Sequence, residues 1–172
     1  MKIIICSNIA GAGKDVARLY LEEKYGFKGF SFADKIYDIA RDVFNMNQKN
    51  RALLINIGEK MREINPYVWI NYTFNIANKY KNVVISDMRK IEEYEAAIGN
   101  DFFPIRIVCD RNIAIQRIIN RDGICDESLL DHAVETGTRE IKMREIDNNG
   151  TFVDLYNQID SLIEDINKLR KE

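Results

Sequence analysis

The sequence predicts an α/β fold in which buried strands alternate with amphipathic helices. Two stretches predict it. Lys2-Ile3-Ile4-Ile5-Cys6 is a short run rich in β-branched residues, the pattern of a strand buried on both faces. A small-residue loop and a helical pattern (Val16, Ala17, Leu19, Tyr20) follow it directly. Val83-Val84-Ile85 repeats the buried-strand pattern, ahead of a helix from Ile91 to Ile98.

The first of these stretches organises the chain. Between strand and helix runs Ser7-Asn8-Ile9-Ala10-Gly11-Ala12-Gly13-Lys14-Asp15. A strand, a small-residue loop ending in Gly-Lys and then a helix is the setting of a P-loop. Small residues let backbone N–H groups curl around an anion, the helix N-terminus adds partial positive charge, and Lys14 adds a full one. Such a loop holds the β and γ phosphates of a nucleoside triphosphate. Two positions depart from G-x-x-x-x-G-K-[ST]. Asn8 replaces the first Gly, and Asn is among the few residues that tolerate positive φ. Asp15 replaces the Ser or Thr whose hydroxyl binds Mg²⁺; a carboxylate there can hold the metal directly or through water. The plainer alternative is a Gly-rich turn entering an ordinary helix.

Composition narrows the function. The 172 residues suit a single domain, and a formal net charge of -2, from 25 basic and 27 acidic side chains, argues against an electrostatic nucleic-acid binder. Cys6, Cys109 and Cys125 have no metal-like spacing and fit a reducing cytoplasm. Neither a signal peptide nor a membrane-spanning run is expected.

Taken in order, Phe27 to Phe32 reads as a second strand. Ile36, Ile39, Ala40, Val43 and Phe44 then recur at helical spacing, and Asp34 is either a cap for that helix or a ligand contact at the sheet's carboxyl edge. Residues 47 to 80 contain no strand. Leu53, Leu54, Ile57 and Met61 form one helix face; Pro66 suits the first turn of the next helix, which carries Val68, Trp69, Tyr72, Ile76 and Ala77. Arg62 lies near their junction, where a lone Arg is usually solvated surface, and Trp69, the only tryptophan, is more often core than ligand platform.

Asp87 and Arg89 follow the strand at Val83 to Ile85. Asp87 suits a Mg²⁺ ligand through water or a carboxylate orienting a phosphate acceptor, and Arg89 offers a bidentate fork for phosphate. Alternatively the two form a structural pair capping the next helix. Phe103 to Cys109 is a fourth strand, with Pro104 tolerable near its start. On the helix from Arg111 to Arg121, Arg117 and Arg121 share a face, suited to charge that develops in phosphoryl transfer, or else to a solvated basic surface. Residues 122 to 140 are polar and poorly periodic, as a lid would be. Lys142 to Ile146 is a short fifth strand, Asp147 to Gly150 a turn, and Thr151 with Asp154 a capping-box-like start for an amphipathic last helix.

Together these residues resemble the phage-type deoxynucleoside monophosphate kinases, within a wider P-loop kinase group that includes dephospho-coenzyme A kinases. The resemblance is carried by Gly13-Lys14-Asp15, Ser31-Phe32-Ala33-Asp34, Ile64-Asn65-Pro66-Tyr67-Val68-Trp69 and Val84-Ile85-Ser86-Asp87-Met88-Arg89. Asp131-His132 with Glu135, and Asp147-Asn148-Asn149-Gly150-Thr151, extend it over nearly the whole chain. That family commonly has Asp after the loop lysine. His132-Ala133-Val134-Glu135 departs from the more usual His-x-Ser-Glu.

The resemblance implies a three-layer P-loop NTPase with a five-stranded parallel sheet in the order 2-3-1-4-5. It implies a core over 1–46, 81–121 and 141–172, a helical NMP-binding insertion over about 47–80 and a lid over about 122–140. It implies ATP as donor, with Mg²⁺, and a deoxynucleoside monophosphate as acceptor. Asn8, Ala10, Gly11, Ala12, Gly13, Lys14 and Asp15 would cradle ATP. Asp34, Arg62, Trp69, Asp87 and Arg89 would surround the acceptor. Arg117 and Arg121 would come from the lid helix, and Asn149, Gly150 and Thr151 would pass near the adenine. Lys14, Asp87, Arg89, Arg117 and Arg121 are the expected catalytic set, with Asp15 and Asp87 toward the metal. The expected partners are small nucleotides, neither nucleic acid nor membrane, with homodimerisation open. A small-metabolite kinase and a non-catalytic nucleotide-binding domain are the competing readings. The coincidence of Lys14, Asp87 and three arginines speaks against the latter.

Overall fold

Strand β1, Lys2–Ser7, lies at the centre of a five-stranded parallel sheet. In the computed structural model, which describes residues 1–125 and 138–169, β1 pairs with β3 (Val83–Ile85) on one side and β4 (Phe103–Val108) on the other. Strand β2 (Lys28–Phe30) adds to β3, and β5 (Arg144–Asp147) adds to β4, giving the order β2-β3-β1-β4-β5. The order reverses beside β1. Loops leaving the carboxyl ends of β1 and β4 therefore diverge and open a crevice, the usual ligand position of such sheets.

Alternation along β1 divides the core. Ile3 and Ile5 face one side and meet Ala17 and Leu21 of α1 (Lys14–Tyr25), Ala114 of α6 (Arg111–Asp122) and the stripe Leu155, Ile159, Leu162, Ile163 and Ile166 of α7 (Phe152–Leu169). Ile4 and Cys6 face the other side, against Ile70, Phe74 and Ala77 of α4 (Val68–Ala77) and Ala97 of α5 (Ile91–Gly99). Two helical layers over one sheet bury the strands on both faces, which is why they read as unbroken apolar runs. A smaller third core joins Ile36 and Ala40 of α2 (Asp34–Asp42), Ile57 of α3 (Arg51–Ile64) and Trp69 of α4.

Several expected boundaries shift. β2 is three residues, because Phe27 turns into the first core and Phe32 into the second. Helix α2 ends at Asp42, before Val43 and Phe44, and Asn45 follows at φ 51°. Pro66 lies in the turn before α4, where the Asn65 side chain accepts the Tyr67 N–H, so it precedes the first helical turn. β5 starts at Arg144 and runs through Asp147. The lid expected over 122–140 falls largely on residues 126–137, outside the described residues, as do His132 and Glu135. Among the described residues no helix is long and apolar enough to cross a membrane.

Candidate phosphate-transfer site

The loop between β1 and α1 is shaped by its two glycines. Gly11 and Gly13 sit at φ 84° and 99°, where a side chain would be strained. A Cβ on Gly11 would lie 2.9 Å from the Ala114 carbonyl oxygen, and one on Gly13 would run into Nδ2 of Asn148. Gly13 is also the N-cap of α1, and no side chain caps that helix. Its first N–H groups are thus open to an anion, with Lys14 at the same helix start.

Asn8 does a different job from the one its position suggested. The non-glycine residues at positive φ, among those described, are Asn45 and Asp101. The Asn8 side chain pairs with the main chain of Cys109, donating from Nδ2 to its oxygen at 2.9 Å and accepting its N–H at 3.1 Å. The Asn8 N–H also donates to Ile107 at 3.2 Å. Asn8 therefore fastens the loop's beginning to the end of β4. Ala12 is buried as well, at 1% exposure, and its carbonyl accepts Nδ2 of Asn148 at 2.6 Å.

The loop forms one wall of a cavity of about 1070 Å³. Ala10, Gly11, Gly13, Lys14 and Asp15 line that wall. Asp87, Arg89, Arg62, Arg117 and Arg121 line it too, so the structure gathers these expected residues, from β1, β3, α3 and α6, around one space. Leu54 and Ile55 of α3 and Tyr37 of α2 line it as well. The volume is at the upper end of the range for small-molecule sites.

Asp87 and Arg89 go to separate partners, and among the described residues no ion pair joins them. Asp87 is held by the β2–α2 turn: Oδ2 accepts the Ser31 hydroxyl at 2.6 Å and the Ala33 N–H at 3.1 Å, and Oδ1 accepts the Phe32 N–H at 2.8 Å. The Arg89 side chain is on the exposed rim, while its N–H donates to Glu93 Oε2 at 2.6 Å. Glu93 was not singled out in the sequence. It is 6% exposed and lines the cavity, and burial pushes its carboxyl up to about 7, against the N–H bonds from Arg89 and Lys90. Local pattern does not point to it, for an N3 glutamate on a helix ordinarily faces water.

Arg117 approaches Cys109, with Nη1 3.4 Å from Sγ, and burial raises that thiol's pKa against the arginine's charge. Arg121 makes a two-point pair with neighbouring Asp122, at 2.7 and 2.6 Å, and feels the charge of Asp15. Arg62 lies along α3 beside Gly58, where a Cβ would come within 3.3 Å of its Nη1.

The remaining expected residues lie off the cavity. Trp69 is 4% exposed in the third core, and its indole N–H donates to the Gly58 carbonyl at 3.1 Å. That removes it from an acceptor wall and makes it the support under Gly58. Asp34 opens α2 but caps backwards, accepting the Ser31 N–H at 2.8 Å; desolvation, with help from Asp87, raises its carboxyl pKa. Asn149 turns from the loop to accept the Asp110 N–H at 2.7 Å, and Thr151 and Asp154 close the expected capping box beyond Gly150. The residue facing the loop is Asn148, one position earlier.

For metal binding, no cluster of three or more His, Cys, Asp or Glu occurs among the described residues. Asp15 and Asp87 both line the cavity. Mg²⁺ ordinarily takes one or two carboxylates together with phosphate oxygens and water, and this donor set fits that habit.

No protein-family model matches the chain, and no curated protein matches it by sequence. Solved structures do. The protein TT1252 from Thermus thermophilus superposes with a TM-score of 0.65 at 15% identity, over 95% of this chain and 97% of its own. A gluconokinase from Sinorhizobium meliloti gives 0.62 at 14%, over 98% of this chain and 96% of its own. At such identity the likeness establishes the fold alone, a five-stranded parallel sheet between helical layers, shared over 95% and 98% of this chain.

Proposed function

We propose that this protein is a P-loop kinase that transfers a phosphoryl group from ATP to a deoxynucleoside or nucleoside monophosphate, with Mg²⁺. The observation that carries the reading is the meeting of Lys14 and five arginines, Arg51, Arg62, Arg89, Arg117 and Arg121, on one cavity whose wall includes the loop. Two phosphate-bearing ligands end to end need that excess of cations, and a module that only binds one nucleotide does not.

In this reading the loop N–H groups and Lys14 hold the β and γ phosphates of ATP. Asp15 would hold Mg²⁺ or its water, and the ion would supply neutralisation of phosphate charge. Arg89 and Arg62 grip the acceptor phosphate, while Arg117 and Arg121 face the charge that develops on the moving group. Asp87, with three donors on its carboxylate, orients the β2–α2 turn against the acceptor and is less suited to taking a proton. Residues 47–80 and 122–140 are assigned as acceptor-binding insertion and lid. The gluconokinase similarity keeps a second reading, transfer to another small phosphorylated or hydroxylated metabolite. A coupled ADP-release assay with each deoxynucleoside monophosphate, dephospho-coenzyme A and gluconate separates them. Turnover with gluconate but no nucleotide would replace the first reading by the second.

A further inference from the structure

We infer that Glu93 is a positioning residue for the phosphate grip of Arg89. This rests on the reading of Arg89 as a phosphate contact. One carboxylate oxygen, Oε2, accepts both the Arg89 N–H at 2.6 Å and the Lys90 N–H at 3.0 Å. Two consecutive N–H groups converging on one buried oxygen fix the main chain where it leaves β3 for α5, and so set the direction in which the Arg89 side chain projects. The Met88 N–H, bonded to the Ile5 carbonyl at 3.2 Å, anchors the other end of this short turn to β1. Arg89 is thus held from both sides while no hydrogen bond or ion pair, among the described residues, engages its guanidinium.

Two features separate this from ordinary helix capping. A cap at the third helical position is worth as much at the surface, yet Glu93 is 6% exposed, and it also lines the cavity beside Asp87 and Arg89. Burial of a carboxylate is costly, so its place in the cavity wall asks for a role there. The charged groups around it are Asp87, which disfavours its ionised form, and Lys90, which favours it.

The test uses the full chain and does not need turnover. Inorganic phosphate is titrated while the Arg89 side-chain N–H and the Arg89 and Lys90 amides are followed by NMR at pH 8, in wild type, Glu93→Gln and Glu93→Ala. The inference expects two results: the Arg89 side-chain signal moves with phosphate, and the Kd rises about ten-fold in Glu93→Ala while Glu93→Gln stays within about three-fold. Lower melting temperature in Glu93→Ala with unchanged phosphate Kd would leave only a structural cap and overturn the inference. So would an Arg89 signal that phosphate does not move. If no monophosphate is phosphorylated but these shifts persist, the kinase reading falls and the role of Glu93 stands.

Discussion

Asn148 donates from Nδ2 to the Ala12 carbonyl at 2.6 Å and so ties the end of β5 to the middle of the β1–α1 loop. Its own N–H continues the sheet by donating to Val108 at 2.8 Å, and that fixes which way its side chain faces. Asn148 is 2% exposed and lies against Gly13. Asn148→Ala leaves the Ala12 carbonyl without its partner, a loss of about 1–3 kcal/mol. Asn148→Asp sets oxygen against oxygen and should cost more. Melting temperature should fall in both variants, with KM for ATP rising as the loop slackens. An unchanged KM for ATP in Asn148→Ala would confine the bond to stability.

Lys14→Ala removes a point charge from the cavity without touching the core, since Lys14 lies outside all three core clusters. kcat/KM should fall by roughly 10²-fold or more, in line with losing one preorganised charge contact. The melting temperature should stay within experimental scatter. Near wild-type turnover would remove the loop from the chemistry.

Asp15 is exposed on the first turn of α1 and lines the cavity. If it holds Mg²⁺ or its water, Asp15→Asn raises the Mg²⁺ concentration needed for half-maximal rate several-fold, and Asp15→Thr recovers part of the loss. A Mg²⁺ titration decides. An unshifted curve would leave Asp15 as a helix N-terminal charge, worth about 0.3–1 kcal/mol.

Arg89→Lys distinguishes a ligand contact from a structural pair. Asp87 already has three donors from the Ser31–Ala33 turn, so the pair has no counterpart in the structure. Lys can replace the fork only as a point charge. KM for the monophosphate should rise about ten-fold or more, KM for ATP should change little, and the melting temperature should hold. Equal shifts in both KM values with a lower melting point would take Arg89 out of the acceptor site.

How far the sequence reached is clearest at single residues. That Lys14 and Arg89 line one cavity was legible because Lys14 closes the small-residue loop after β1 and Arg89 lies just past the apolar strand β3. The bond from Asn148 to the Ala12 carbonyl was not legible, since the facing of a strand-end side chain depends on the β4–β5 register, which local pattern does not carry. Trp69 stands beside the acceptor only through the resemblance; as a lone tryptophan it reads as core, and its indole N–H meets the Gly58 carbonyl in a core built by three separate helices. Arg106 escaped notice altogether. It is 8% exposed on β4 and binds Glu145, Thr138 and Ile141, and only the fold brings those partners to it.

Glu93 also sets a pH dependence of stability. Its carboxyl rises from the ordinary 4.5 to about 7 on folding, first through burial. A raised folded pKa means that the folded state binds the proton more tightly than the unfolded chain. The stabilisation is complete below about 4.5 and is lost as pH climbs through about 7. At about 1.4 kcal/mol per pKa unit, the span is on the order of 3 kcal/mol. Glutamine has the same shape and a neutral oxygen for the two N–H groups, so Glu93→Gln should remove this slope. Expressed as the difference in unfolding free energy, Glu93→Gln minus wild type, the curve should rise between pH 5 and 8, while other titrating groups cancel. Urea unfolding of both proteins at half-unit steps measures it. A flat difference would mean that Glu93 ionises at its ordinary pKa despite its burial, and a falling one would reverse the sign of its coupling to the fold.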